Sequence, residues 1–145
     1  MTYNQVVTEI EEVLDNHAML NTVLFETPVE WLNRNQVPTY PVASYAINSG
    51  SLNVGREQIY RVDLWLLDQS GRDGEFETSV ISAMHGVAYD VLSILRKGGN
   101  SWIISPSVSW IAVSEKFEDY LSGVKITFDL TVVRDYGSCD TPTVS

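Results

Sequence analysis

Apolar and polar residues alternate without a break from Ser122 to Asp135. In SGVKITFDLTVVRD, Val124, Ile126, Phe128, Leu130 and Val132 fall on one side, and Lys125, Thr127, Asp129 and Thr131 fall on the other. A period of two, carried by β-branched and aromatic residues, predicts a strand with one buried face. At the helical period the same apolar residues would scatter around the cylinder. Each buried side chain of this kind contributes about 1.5–3 kcal/mol before chain entropy is subtracted. This strand is therefore placed at the centre of a sheet.

A matching pattern lies in Gln58 to Leu67. Tyr60, Val62, Leu64 and Leu66 form an apolar row, and the other face carries Arg61 and Asp63 before turning apolar at Trp65 and Leu67. Two such strands are expected side by side over one core, with Asp63 and Asp129 set against Arg61 and Lys125 across the ladder. Pattern alone leaves the register open. PVASYAIN, residues 41–48, predicts a strand that forms a hairpin with 58–67 through the turn-forming run 49–55. Residues 101–113 alternate more loosely around Pro106, which implies an edge strand or a break into two short ones.

Two segments carry the helical period. From Tyr3 to about Leu20, Val6, Ile10, Val13, Leu14 and His17 share a stripe, with Thr2 as the expected N-cap and His17 read as a half-buried structural residue. A longer helix runs from an N-cap at Asp73 to Lys97, with Phe76, Val80, Met84, Val87, Val91 and Leu95 inward and Gly98–Gly99 as the stop. Gly86 and Ala88 are expected to let it lie close to the sheet, and His85 to be exposed. Val23–Phe25 predicts a short strand. Trp31 and Leu32 are expected to plug a hydrophobic gap, in a region where Pro28, Pro38 and Pro41 discourage long regular structure.

The elements then read α-β-β-α-β-β: one α+β domain over residues 1–135, followed by an extended tail at 136–145. Counting strands along the chain, the sheet is expected to be four-stranded and antiparallel in the order 1-2-4-3, with two helices covering one face. No internal repeat, low-complexity tract or linker interrupts the chain.

Composition narrows the function classes. A length of 145 residues suits one core, and 44% hydrophobic against 19% charged residues is globular rather than disordered. The lone Cys139 leaves no internal disulfide and fits a reducing compartment. The first residues carry acids and no basic region, so no secretory signal is expected, and no apolar run is read as approaching the ~20 residues that span a bilayer. Nine Lys and Arg against 19 acids give a net charge of −10, and no basic cluster exists to neutralise phosphates. Sequence-specific nucleic-acid binding is not expected.

Motifs for chemistry are missing. The two histidines lie on different predicted helices, and no nucleophile elbow, phosphate loop, dinucleotide fingerprint or metal-ligand spacing occurs. The loop DQSGRDG resembles a calcium loop only in outline, since Arg72 stands where an oxygen ligand belongs. Glu115, Glu118 and Asp119 read as solvated loop acids. No catalytic, cofactor or metal residue is assigned, and an enzyme is not expected.

Taken whole, the chain resembles the tail-terminator and tail-completion proteins of tailed bacteriophages. The likeness is carried by the N-terminal amphipathic helix, the hairpin PVASYAIN…QIYRVDLWLLD and the long helix EFETSVISAMHGVAYDVLSILR. The loop FEDYLSG and the last strand GVKITFDLTVVRD complete it. The resemblance implies an α+β virion protein, without cofactor, assembled in the bacterial cytoplasm. It implies a homo-oligomeric neck ring, six- or twelve-fold, at the head–tail junction, with portal-adaptor or tail proteins as neighbours. DNA would pass through such a ring, and an acidic subunit suits a channel to which DNA must not stick. For the subunit contact, alternation places Arg61, Asp63, Trp65, Lys125 and Asp129 on the sheet face opposite the helices, with Phe117 and Tyr120 in a loop beside it. An apolar face at Trp65 and Leu67 is what an interface presents. The alternative is a small acidic binding or inhibitor module acting as monomer or dimer, with Trp31, Trp102 and Trp110 around its cleft.

Overall fold

A computed structural model describes residues 3–33, 38–52, 57–71, 76–97, 102–106, 108–113 and 121–133. Its elements are α1 (Tyr3–Asp15), β1 (Thr22–Leu24), α2 (Pro28–Asn33), β2 (Val42–Leu52), β3 (Glu57–Gln69), α3 (Glu77–Lys97), β4 (Trp102–Ile104), β5 (Ser109–Val113) and β6 (Leu121–Val133). The fold is α+β. Its sheet has six strands in the order β1-β2-β3-β6-β4, with β5 also paired to β6.

That order differs from the four-stranded expectation for two physical reasons. β1 adds at the edge in parallel to β2, held by Asn21 N–H and Thr22 N–H donating to the Pro41 carbonyl at 2.9 and 3.4 Å. The 101–113 stretch splits around Pro106, which cannot donate to a ladder, and both halves pair antiparallel with β6. At the centre β3 and β6 pair antiparallel from Glu57↔Val133 to Gln69↔Leu121. Gly123 permits that closeness, because a Cβ there would collide with the Leu66 carbonyl. Gly50 does the same for β2, next to a bulge between Ile47 and Ser49.

One face of the sheet meets α1 and α3. Val62, Leu64, Leu66, Val124, Ile126, Phe128, Leu130 and Val132 lie buried with Val6, Ile10 and Leu14 of α1 and with Val80, Met84, Val87, Val91 and Leu95 of α3. Tyr45 is buried here too, stacked on Phe25 at 4.8 Å between centroids, and its O–H donates to Glu11 Oε1 at 3.4 Å. Burial, reinforced by the Glu11 charge, pushes its hydroxyl well above the usual tyrosine range.

The two expected helices, α1 and α3, cover one face, and a third, α2, adds cover to part of the other. Its start is written in the sequence as Thr27-Pro28-Val29-Glu30, a capping box with proline at the first helical position. Thr27 Oγ1 donates to Glu30 Oε1 at 3.0 Å. Trp31 does plug a gap: it is buried with Val42, Leu67, Val113 and Leu121, and its Nε1–H donates to Ser44 Oγ at 3.1 Å. Ser44 Oγ in turn donates to the Glu26 carbonyl.

The helices bring further corrections. α1 stops at Asp15, short of Leu20, and the turn after it uses His17, whose ring accepts the Met19 N–H and meets Asp90 of α3 at 3.1 Å. Phe76, expected inward, is exposed because it precedes the first regular turn of α3. Gly86 does not bring α3 close to the sheet. It stands about 200° around the helix from buried Met84, and a Cβ added there meets nothing. Ala88 is the small residue at the sheet. By length and composition alone α3 could cross a membrane, with a mean hydropathy of 1.3, contrary to the sequence reading, yet its apolar stripe packs on the sheet. The expected N-caps Thr2 and Asp73, the loop acids 115–119 and the tail 136–145 lie outside the described residues.

Three substitutions test this packing. Phe128→Ala should cost about 3–5 kcal/mol and Leu64→Ala about 2–5 kcal/mol in denaturant melts, through lost transfer energy plus a cavity. Losses under about 1 kcal/mol for both would place the buried row on the wrong face. Gly86→Ala should stabilise by about 0.5–1 kcal/mol, because it gains helix propensity without a clash. A lower melting temperature would mean that the outer side of α3 is packed after all.

Candidate interaction surface

The register of β3 against β6 settles what faces away from α1 and α3. Arg61 pairs with Asp129, Asp63 with Thr127 and Trp65 with Lys125. Because successive residues alternate sides, these three pairs stand on one face in neighbouring rows. The five sheet residues expected on that face are thus brought together. Phe117 and Tyr120 lie outside the described residues.

Each pair closes within the chain. Arg61 Nε–H donates to Asp129 Oδ1 at 3.1 Å, and this contact raises the guanidinium pKa above its ordinary value. Thr127 Oγ1 donates to Asp63 Oδ1 at 2.8 Å. The expected pairing of Lys125 with a carboxylate is replaced by a stack, with Nζ 5.1 Å from the Trp65 ring centre. The reason is positional: Trp65 stands directly opposite Lys125, and the aspartates already hold Arg61 and Thr127.

Trp65 is half-buried and packs against the cluster of Trp31, Val42, Leu67, Val113 and Leu121. Much of its apolar area covers its own sheet. The rows continue outward onto the flanking strands, so Ser44, Trp65, Lys125 and Ile111 form one line, and Ala46, Asp63, Thr127 and Ser109 form the next. Ile111, at the end of its row, is 54% exposed.

The three tryptophans expected around a cleft do not share one. Trp31 is buried on the inner side of α2, on the face away from α1 and α3. Trp102 is buried on the helical side, its Nε1–H donating to the Leu95 carbonyl at 2.8 Å. Trp110 sits on the β5 edge, 54% exposed, with His85 of α3 edge-on at 5.0 Å. A shallow groove of about 520 Å³ lies elsewhere, between Tyr3 and residues 47–52 and 58–60 at the far end of the β2–β3 hairpin.

Sequence reasoning missed the exposed apolar character of β5. The signal was present: SWIAV carries no charge or proline, in contrast to the charged rows of β3 and β6. The chain matches no family model and no curated protein.

Trp65→Ala should cost the fold roughly 1.5–3 kcal/mol, since a large side chain leaves a partly buried cluster. Lys125→Ala should cost about 0.5–1 kcal/mol through the lost stack. Denaturant melts check both. A Trp65→Ala cost near zero would show that the indole is not used by its own fold.

Proposed function

We propose that the chain is a structural subunit that self-associates into a closed ring at the head–tail junction of a tailed bacteriophage, as a neck or tail-terminator component. The carrying observation is exposed apolar surface on the edge strand β5: Trp110 on the α3 side, where His85 touches it, and Ile111 on the opposite face, each 54% exposed. Singly exposed apolar residues are ordinary; here two stand on one edge strand, one to each side of the sheet, which suits a contact made along that edge. The resemblance in element order supplies the kind of assembly, and the net charge of −10 suits a passage for DNA. In this reading the face of Arg61, Asp63, Trp65, Lys125 and Asp129 lies beside the contact. Its charges are largely matched within the subunit, so it orients neighbours rather than anchoring them.

A second reading, a small acidic binding module, is favoured by the groove beside Tyr3 and Tyr60. Native mass spectrometry at micromolar concentration separates the two. A single ring species, six- or twelve-fold, is expected. A chain that stays monomeric alone and with portal-adaptor and tail proteins, and that a small ligand stabilises in a thermal-shift screen, overturns the ring.

A further inference from the structure

We infer that β5 of one copy pairs antiparallel with β1 of the next, with Ile111 opposite Leu24 and Trp110 level with Phe25, so that the two sheets continue into each other. This rests on the ring reading and names the contact that builds it.

β1 and β5 are edge strands on opposite sides of the sheet, and among the described residues each pairs with one strand only, β2 and β6 respectively. Unpaired N–H and C=O groups on an edge are a template for another strand, and soluble proteins usually blunt such edges with charge or proline. TVL of β1 and SWIAV of β5 carry neither. The registers put these two edges at one level. Leu24 pairs with Ser44, Ser44 with Trp65, Trp65 with Lys125 and Lys125 with Ile111. Val23, Ala43, Leu66, Val124 and Ala112 form the adjoining row in the same way. Along this path β1 and β2 are parallel and every later pair is antiparallel, so β1 and β5 run in opposite senses. Copies set side by side in one orientation, with no shift along the strands, therefore bring β5 of one against β1 of the next as an antiparallel pair.

Three features select a second copy, joined head to tail, as the occupant. First, apolar groups of the two edges fall opposite each other on both faces of the sheet. Paired residues share a face, so exposed Ile111 meets half-buried Leu24 on the face away from α3. On the helical face Trp110 shares its row with Ile126, Leu64 and Tyr45. Phe25, stacked on Tyr45 and 41% exposed, ends that row on the far side, so the Trp110 of one copy reaches the Phe25 of the next. Second, the helices above the two edges are complementary in charge. The flank of α3 beside β5 carries His85, edge-on to Trp110, and Arg96, which donates to the Ser105 carbonyl at 3.3 Å. Exposed Tyr89 lies one turn from His85 on that flank. The flank of α1 over β2 and β1 carries Glu11, which accepts from the Tyr45 hydroxyl, and exposed Asp15 one turn on. Side-by-side copies thus turn a cationic, aromatic flank toward an acidic one. Third, a contact of β5 with β5 would close a two-fold dimer and leave Phe25 uncovered. The contact of unlike edges uses both and closes into a ring when its rotation allows.

Cysteine pairs test the register. Within one copy Ile111 and Leu24 stand four strand spacings apart, roughly 19 Å, too far for a disulfide. With the lone native thiol removed by Cys139→Ser, Ile111→Cys combined with Leu24→Cys should give, on oxidation, a ladder of covalent multimers that ends at the copy number of the ring. Either new cysteine alone should give none, and neither should Ile111→Cys with Leu52→Cys, which lie at different levels of the sheet. Ile111→Glu sets an acid beside Lys125 of its own sheet. It should keep the circular-dichroism spectrum and lose the ring at concentrations where the unmodified chain assembles. Ser82→Glu, the same charge on the exposed side of α3, should assemble normally. In the unmodified ring, amides of 22–24 and 109–113 should exchange about tenfold more slowly than in the diluted subunit, a readout that needs no substitution. Rings that give no ladder, rings from Ile111→Glu, or unchanged exchange at these amides overturn the edge contact and leave the ring intact. Loss of assembly in Ser82→Glu also overturns it, by making the effect one of charge alone. A covalent dimer from Ile111→Cys alone does so by showing β5 paired with itself, and a ladder from Ile111→Cys with Leu52→Cys by showing another register. An unmodified chain that stays monomeric in native mass spectrometry removes the ring and this contact together.

Discussion

Everything in this protein leans on the ladder between β3 and β6. Its thirteen-residue strands pair along their full length, and both contribute side chains to both faces of the sheet. On one side it supports the core shared with α1 and α3; on the other it supports the smaller cluster capped by Trp31. A shift of one residue would exchange these faces and bury Arg61, Asp63 and Asp129 beneath the helices, at the cost of desolvating charges. The register is held by that penalty and by Gly123, where only the absence of a Cβ lets the strands approach.

The surroundings of the ladder differ in how completely they cover it. α1 and α3 shield the helical face almost throughout. The second face is shielded only at the α2 end, where Leu67, Leu121 and Val113 gather under Trp31; toward the other end it carries matched polar pairs. Among the described residues, the sides of the sheet are left more open still. β1 is three residues long, and β4 and β5 share the length of β6 between them.

A reading as a ring subunit unites these features with the charge. Acidic copies repel unless they touch where charge is missing, and the neutral stretches lie at the sides of the sheet. The face of Arg61 and Trp65 is satisfied largely from within: an ion pair, a hydroxyl–carboxylate bond and a lysine over an indole leave few groups in need of a partner.

From the sequence alone, the two central strands, their buried rows and the face carrying Arg61, Asp63, Trp65, Lys125 and Asp129 were legible, because a period of two fixes sides without knowledge of partners. The α3 stripe from Val80 to Leu95 was legible for the same kind of reason, and so was the break at Pro106, since proline cannot donate wherever the strand is placed. Short elements were harder. α2 announces itself only through its Thr27–Glu30 cap, and β1 through nothing but three apolar-leaning residues; both exist because the sheet offers them somewhere to pack. Gly86 shows the limit from the other direction, since a glycine's purpose depends on what faces it, and nothing faces this one. Which partner each charge takes, whether Trp65 covers its own sheet, and which strands are left with an open side are decided by register and neighbours. Those are long-range facts, and only the tertiary structure contains them.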